Sequence, residues 1–392
     1  TEELLVFLRQ AQQQFESIAN EPIRKFGPFE LRSRRRAVAW RNRLNRLFQQ
    51  IGAWVQSHRN ELVAMIDPVS ADSESLHRLP AAGRSMSPQE IDELSVDVIV
   101  CVHDSLEEVR RCLDSVISTV GSHHTLIVVD DGSGEETAGF LSRFATNHDR
   151  VKLVRRNTPG GYTKAANYGI EYSSAEFVIL LNSDTQVTKS WMRKLARAAY
   201  QSDDIGIVGP LSNAASWQSV PEIIDEHGQL AVNEIPPGFT VDDMDRIAES
   251  CSTAKSPRVD LANGFCLGIK RVVLDTIGTF DEESFPRGYG EENDFCFRAV
   301  DAGFGVVIAT DCYVYHEKSK SYSPAARDRL AKETGAVLKR KYSSARIRRA
   351  VVACKKNPTL VEIRQRFGRV IRKAIQRQER ASNEGRVISS CL

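Results

Sequence analysis

The chain has 392 residues, 41% hydrophobic and 27% charged, with a net charge of only +2. That is enough apolar material for two or three well-packed domains and too much for a disordered chain. No apolar run approaches the roughly eighteen residues of a membrane helix, and the eight cysteines form no CxxC pair, so a spanning segment, a disulfide framework and a zinc site are all disfavoured.

The charge is unevenly spread. From Glu317 onward there are 21 Lys and Arg against 6 Asp and Glu. No signal peptide is visible, and the start at Thr1 rather than Met predicts a processed product or a piece of a longer protein. Together with the thiols this predicts a cytoplasmic location, with peripheral contact at the inner face of the membrane as an option for the basic end.

Residues 1–66 read as helical. Leu4, Leu5, Leu8, Ala11, Phe15 and Ile18 recur at helical spacing, and Trp40, Leu44, Leu47, Ile51 and Trp54 form a short heptad seam. A helical hairpin packed on its own domain and a self-association helix both fit. Residues 67–95 read as a linker, within which Ser87-Pro88-Gln89-Glu90 has the form of a capping box. From Val96 the texture becomes strand–helix alternation. Strands are predicted at Val96–Val102, Thr125–Val129, Val151–Arg155, Phe177–Leu181 and Ile205–Gly209. The intervening helices are Leu106–Val120, Glu135–Thr146, Thr163–Ser173 and Lys189–Tyr200. Continuous apolar strands between amphipathic helices specify an α/β domain with a mostly parallel sheet covered on both faces. Residues 211–258 read as a flexible excursion, Asn263–Ile269 as a second apolar block, and 323–392 as a basic helical region.

The active site of such a sheet lies beyond the carboxyl ends of its strands. Three acidic clusters fall at such positions or nearby. Asp131 ends a strand in Asp130-Asp131-Gly132-Ser133, where a short carboxylate can accept hydrogen bonds from a base or ribose; capping the next helix is the plainer role. Asp184 closes an apolar run in Asn182-Ser183-Asp184. A hard cation, Mn2+ or Mg2+, held by one or two carboxylates with diphosphate oxygens completing the shell suits that place; here too a simple N-cap fits. Glu291, Glu292 and Asp294 crowd one helix start. Acids compensate a helix dipole, yet acids held close repel, and one of raised pKa would suit a general base. His316 ends the apolar run Tyr313-Val314-Tyr315 and is a candidate metal or phosphate contact. Asn157–Asn167 is a glycine turn entering a helix that could offer backbone N–H groups to a diphosphate; it has neither a P-loop nor a GxGxxG pattern.

Taken together, residues 96–322 resemble the inverting glycosyltransferases of family 2, in particular the rhamnosyltransferase-like enzymes of bacterial polysaccharide synthesis. The residues that carry the resemblance are Val128–Ser133, the Asn157, Gly161, Ala165 and Asn167 turn, Asn182-Ser183-Asp184, Gly264–Leu267 with Phe280-Asp281, Gly290–Arg298 and His316. The resemblance implies a GT-A fold and a nucleotide-diphosphate sugar donor. It implies a glycan or lipid-linked acceptor and a divalent cation on Asp184 and His316. Glu292 would be the base, with Glu291 and Asp294 beside it. Val102, Asp104, Asp131, Asn157, Gly161, Lys164, Asn167, Asn182, Ser183 and Lys318 would surround the donor. Two positions depart from the family pattern: His103-Asp104 after the first strand, and Glu292 where the family has Asp.

A phosphoacceptor receiver domain shares the paired acids but would leave Glu291–Asp294 and His316 unexplained. A domain that binds a nucleotide sugar without turnover, and a nucleotidyltransferase, are further alternatives. In the basic region Ile363, Phe367, Val370, Ile371, Ala374 and Ile375 fall on one helical face with arginines around them. This stripe can pack on the catalytic domain or lie on an anionic membrane. Nucleic acid is not an expected partner, because aromatic residues are sparse among the charges.

Overall fold

The computed structural model describes residues 85–318 and 324–389, which fall within one compact unit, Arg78–Leu392. The predicted helices of residues 1–66, the linker before Ser85 and Ser319–Ser323 lie outside the described residues.

The capping box forms as expected. Ser87 Oγ accepts the Glu90 amide and Glu90 returns the bond to Ser87, opening α1 (Pro88–Asp92). The supposed linker is therefore structured from Ser87, and Ile91 and Leu94 are buried. The alternation that follows is β1 (Val96–Val102), α2 (Leu106–Ile117), β2 (His124–Asp131), α3 (Glu135–Thr146), β3 (Val151–Arg156), α4 (Tyr162–Glu171), β4 (Phe177–Asn182), β5 (Thr185–Gln186), α5 (Trp191–Ala199) and β6 (Ile205–Leu211). Each predicted strand and helix is present, with ends shifted by at most a few residues.

Among the described residues the main sheet has eight strands in the order β3-β2-β1-β4-β8-β6-β9-β7. It is completed by β7 (Arg258–Val259), β8 (Cys266–Lys270) and β9 (Gly305–Tyr313). β8 runs antiparallel to both neighbours, and β7 is antiparallel to β9. The remaining pairs are parallel. Alternate side chains along a strand face opposite sides. Val98, Val100 and Val102 of β1 accordingly join Val109, Leu113, Leu141 and Trp191 in one core layer. Ile99 joins Ala165, Ile170, Met244 and Phe295 in the other. Both faces are covered, which is why these strands read as unbroken apolar runs.

The excursion at 211–258 differs from expectation. It contains α6 (Val241–Cys251), begun by a Thr240–Asp243 capping box and burying Met244, Ile247, Ala248 and Cys251 against the sheet. Asp at the third helical position hid the start signal, and polar surroundings diluted the helical period. α7 (Arg271–Ile277) and α8 (Glu291–Asp301) follow, then β9 and the short β10 (Tyr315–His316), which pairs with β5.

The basic region forms α9 (Pro324–Tyr342), α10 (Ser344–Lys356) and α11 (Pro358–Ser389). Its apolar stripe is spent on the domain's own core. Leu360, Ile363, Phe367 and Ile371 are buried beside α6, and the Phe367 ring stacks on Tyr313 at 6.2 Å. Val370 and Ile375 pack against the same layer. The option of a stripe lying in a membrane is therefore corrected: a face cannot both close this core and enter a lipid layer. No helix among the described residues is long and apolar enough to cross a membrane. The described cysteines are free thiols, and all but Cys101 are buried, as their apolar context suggested.

Candidate active site

The strand register fixes the site. Val102 of β1 lies opposite Asp130 of β2, and Cys101 lies opposite Asn182 of β4, so three strands end level. Val102 is buried and offers only its backbone. Beyond it Asp104 adopts φ +55°, accepts the Gly134 amide on Oδ1 at 2.8 Å and donates its own amide to Ser133 Oγ at 3.0 Å. His103 Nδ1 sits 3.0 Å from the Asp131 carbonyl oxygen. The departures at His103-Asp104 thus tie the β1 and β2 ends together.

Asp130 is buried and structural, accepting the Ser133 amide at 2.8 Å and pairing with Arg155. Asp131 holds the glycine turn. Its carboxylate accepts the amides of Gly160 at 3.0 Å and Gly161 at 2.8 Å, and Arg156 lies 3.5 Å away. Gly161 has φ +89°, and a Cβ there would meet the Pro286 carbonyl oxygen at 2.6 Å. Glycine is thus required both for the backbone and for the close approach of two loops. On the same turn Asn157 is exposed and Lys164 half-buried. Asn167 is not free to hold a ligand. Its amide donates to the Phe280 carbonyl at 2.9 Å and to Glu282 at 3.1 Å, and accepts the Phe280 amide at 3.0 Å. The structure gives it the task of fastening the loop that carries the acid cluster.

Asn182 and Ser183 bend the chain after β4. The Asn182 amide donates to the Phe265 carbonyl at 2.8 Å. Asp184 is buried, and its Oδ1 lies 3.3 Å from His316 Nε2. The pairing of β10 with β5 brings these residues together, with His316 opposite Thr185. Asn213 brackets the His316 backbone, donating to its carbonyl at 3.0 Å and accepting its amide at 2.8 Å. His316 Nδ1 faces the Ala214 carbonyl at 3.3 Å, and the ring stacks on Phe265 at 5.3 Å. A proton on Nδ1 leaves the Nε2 lone pair turned to Asp184, the arrangement a metal-binding histidine needs. No group of three or more His, Cys, Asp or Glu forms a ligand set among the described residues. Two protein ligands with the rest left to phosphate and water fit a hard divalent cation. Next to them Glu317 is locked by Arg111 at 2.7 and 2.8 Å and by Gln186 at 2.9 Å, and Arg111 lowers its pKa. Lys318 follows with φ +54°.

The acid cluster begins α8. Gly290, with φ +126°, donates its amide to Glu292 Oε2 at 3.0 Å, and Asn293 Nδ2 donates to Oε1 at 2.8 Å. Burial raises the Glu292 pKa. Burial and then the neighbouring Glu292 raise the Glu291 pKa well above its ordinary value, and Glu291 Oε2 is buried without a hydrogen-bond partner. Burial and the neighbouring carboxylate both favour the protonated form of Glu291. Asp294 is a different kind of acid. It is fully buried and is bound by Arg298 Nε at 2.8 Å, by the Tyr342 hydroxyl at 2.7 Å and by Lys341. With three donors it cannot serve as a base. It is an anchor for α8, which corrects the expectation that all three acids share the chemistry.

Gly264 and Phe265 join the two halves. Phe265 touches Asn182 and His316, as above. A Cβ on Gly264 would lie 3.2 Å from the Glu292 Cβ and 3.3 Å from its Cγ. The bare glycine makes room for the longer glutamate at the departing position.

Residues 97–225 match the model of "Glycosyl transferase family 2". Over these residues the chain is similar to the family 2 glycosyltransferases. The sheet described above is the mostly parallel α/β arrangement that the strand–helix alternation predicts. Curated proteins similar to this chain include the glycosyltransferase AglE of Haloferax volcanii, 22% identical over 56% of this chain and 66% of the relative. Another is the low-salt glycan biosynthesis hexosyltransferase Agl10 of the same organism, 29% identical over 53% of this chain and 62% of the relative. The chain spans between 28% and 66% of the length of three such relatives, the shortest share being of an uncharacterized protein, y4gI, of Sinorhizobium fredii. A mannosyltransferase from Pyrobaculum calidifontis, solved with GDP-Man and Mn2+, superposes with a TM-score of 0.47 at 16% identity over 70% of this chain and 74% of that one. Sequence reasoning missed Tyr162 and Asn213 as parts of the site, and named Phe265 only within the Gly264–Leu267 segment. The Tyr162 phenol is raised first by burial and then by Cys101, Glu291 and Glu292, which places it among the acids. Its position directly after Gly161 was the available signal.

Proposed function

We propose that the chain moves a sugar from a nucleotide-diphosphate donor to a hydroxyl of a glycan or lipid-linked acceptor, with inversion at the anomeric carbon. A hexose or deoxyhexose is the sugar class carried over from the family. The observation that supports this reading best is Gly264-Phe265, which sets the Asp184–His316 pair and the Glu292 carboxyl on either side of one short segment.

Asp131, the Gly160–Gly161 turn and the backbone at Val102 would receive the nucleoside, with Ser183 and Lys318 toward the phosphates. Asp184 and His316 would hold Mn2+ or Mg2+, which when bound neutralises charge on the diphosphate. Glu292 takes the acceptor hydroxyl proton. The acceptor oxygen forms its bond to the anomeric carbon while the carbon–phosphate oxygen bond breaks, and that electron pair leaves with the nucleoside diphosphate. Glu291, holding its proton, leaves Glu292 as the ionised member of the pair. The raised pKa makes Glu292 a stronger base than an exposed carboxylate.

Glu292→Gln keeps the shape and removes the proton acceptor. Turnover should fall about 10²- to 10⁴-fold with nucleoside diphosphate affinity unchanged. Full activity in that variant, or retained anomeric configuration by NMR of the product, sinks the mechanism.

A further inference from the structure

After β6 a 3₁₀ turn (Ser216–Gln218) leads to Pro221–Ile223. Between this segment and α11 lies a pocket of about 460 Å³. Pro221, Glu222 and Ile223 form one wall, and Arg364, Arg369 and Arg372 line the other. Gly368 lets the walls approach: a Cβ there would stand 3.4 Å from the Pro221 Cβ and 3.3 Å from Arg372 Nη1.

Arg364 is only 9% exposed. Its guanidinium donates to two backbone carbonyls, Trp217 at 2.9 Å and Lys355 at 2.9 Å. Carbonyls orient a guanidinium but carry no net charge. Burial lowers its pKa, opposed by Glu222. Among the described residues no carboxylate lies within ion-pair distance of Arg364, Arg369 or Arg372. Two other buried charges are paired, Lys194 with Asp245 at 2.8 Å and Glu249 at 3.2 Å and Asp294 with two cations, whereas the buried Lys270 donates to the Ser202 carbonyl. Buried charges are normally paired, because desolvation without a counter-charge is expensive. A buried guanidinium and two exposed ones face the single carboxylate of Glu222 around one cavity, which leaves the site with net positive charge.

We propose that this pocket binds a phosphoryl group, either as free phosphate or as the headgroup of an anionic phospholipid. The exposed Arg369 and Arg372 supply planar donor forks, which suit a phosphate's paired oxygens better than a point charge would. Arg364 supplies fixed charge behind them. The apolar stripe of α11 is already buried, so a lipid would be held through its headgroup alone. Such binding is sensitive to salt. The inference is independent of the glycosyl-transfer reading, since neither the pocket nor its arginines belong to that site.

The test uses the full chain and the double variant R369A/R372A, which leaves Arg364 and the core intact. Calorimetric titration with inorganic phosphate, against chloride at equal ionic strength, should give saturable binding. The variant should bind at least about tenfold more weakly, as expected for lost charge-assisted hydrogen bonds. Sedimentation with neutral phosphatidylcholine vesicles and with vesicles containing phosphatidylglycerol assigns the source. Retention on anionic vesicles that the variant loses identifies a headgroup site. Phosphate binding without such retention identifies a free-phosphate site. Absence of saturable binding in both assays, or equal binding by wild type and variant, overturns the proposal.

Discussion

On the proposed function the domain has a donor half, β1 to β5 with β10, and an acceptor half, the remainder from β6 to α11, and the two are built on different principles. In the donor half each functional group sits at or just after the strand that delivers it, and its partners are at neighbouring strand ends. Asp131 reaches the β3–α4 turn, and Asp184 lies beside the strand pair that carries His316. In the acceptor half the acids are held by residues far along the chain. α9 brings Tyr342 and Lys341 to Asp294, and Leu338 lies beside Gly290, which donates to Glu292. Strand-end sites come with the sheet; a helix-start site needs outside bracing.

The largest expected effect removes that bracing at its base. Phe367→Ala empties a fully buried ring site and should cost about 3–5 kcal/mol of stability, measured by denaturant unfolding. A loss under about 1 kcal/mol would mean that α11 is not part of the core. Next comes the donor half. Asp184→Ala should lower turnover by at least about 10²-fold, the scale of lost metal charge stabilisation. It should also abolish Mn2+-dependent thermal stabilisation by a nucleoside diphosphate while leaving the unfolding midpoint of the free protein nearly unchanged. The contrast between halves breaks if that midpoint falls as far as it does in Phe367→Ala. Tyr342→Phe removes one donor from the buried Asp294 and should cost about 1.5–3 kcal/mol; kcat should drop with donor affinity unchanged, because the bracing serves the acid side. A change in donor affinity instead would join the two halves.

The smallest effect is one of pH slope. The folded Glu291 pKa is raised above its ordinary 4.5. Its contribution to stability is therefore complete below about 4.5 and is lost as pH rises through the folded value. Glu291→Gln should flatten the fall of stability with rising pH. Parallel curves for variant and wild type would place Glu291 in contact with water.

The same contrast explains what could be read from the sequence. The donor half was legible because unbroken apolar runs fix the strands, and their last residues fix the sites: Asp131, Gly161, Asp184 and His316 all lie where the pattern put them. Asn167 and Asp294 were visible as motif residues, but their roles were not. Whether an amide or a carboxylate faces a ligand or fastens a loop depends on partners more than forty residues away. α6 escaped notice because its apolar face is short and its cap unusual. The stripe of α11 was legible as a stripe; which surface it meets is a property of β9 and α6, and periodicity carries no information about that.

The placement of α9–α11 also sets a timetable for the molecule's birth. Synthesis proceeds from the N-terminus, and domains tend to fold as their segments emerge. The strands that carry Asp131 and Asp184 emerge early. Tyr342 and Phe367 appear only after the whole sheet has been made, so a nascent chain can hold a finished donor pocket while the helix bearing Glu292 still lacks its brace. On the proposed function, the acid side is therefore completed after the donor side. Until Phe367 reaches Tyr313, the apolar flank of the sheet stands open to whatever meets growing chains.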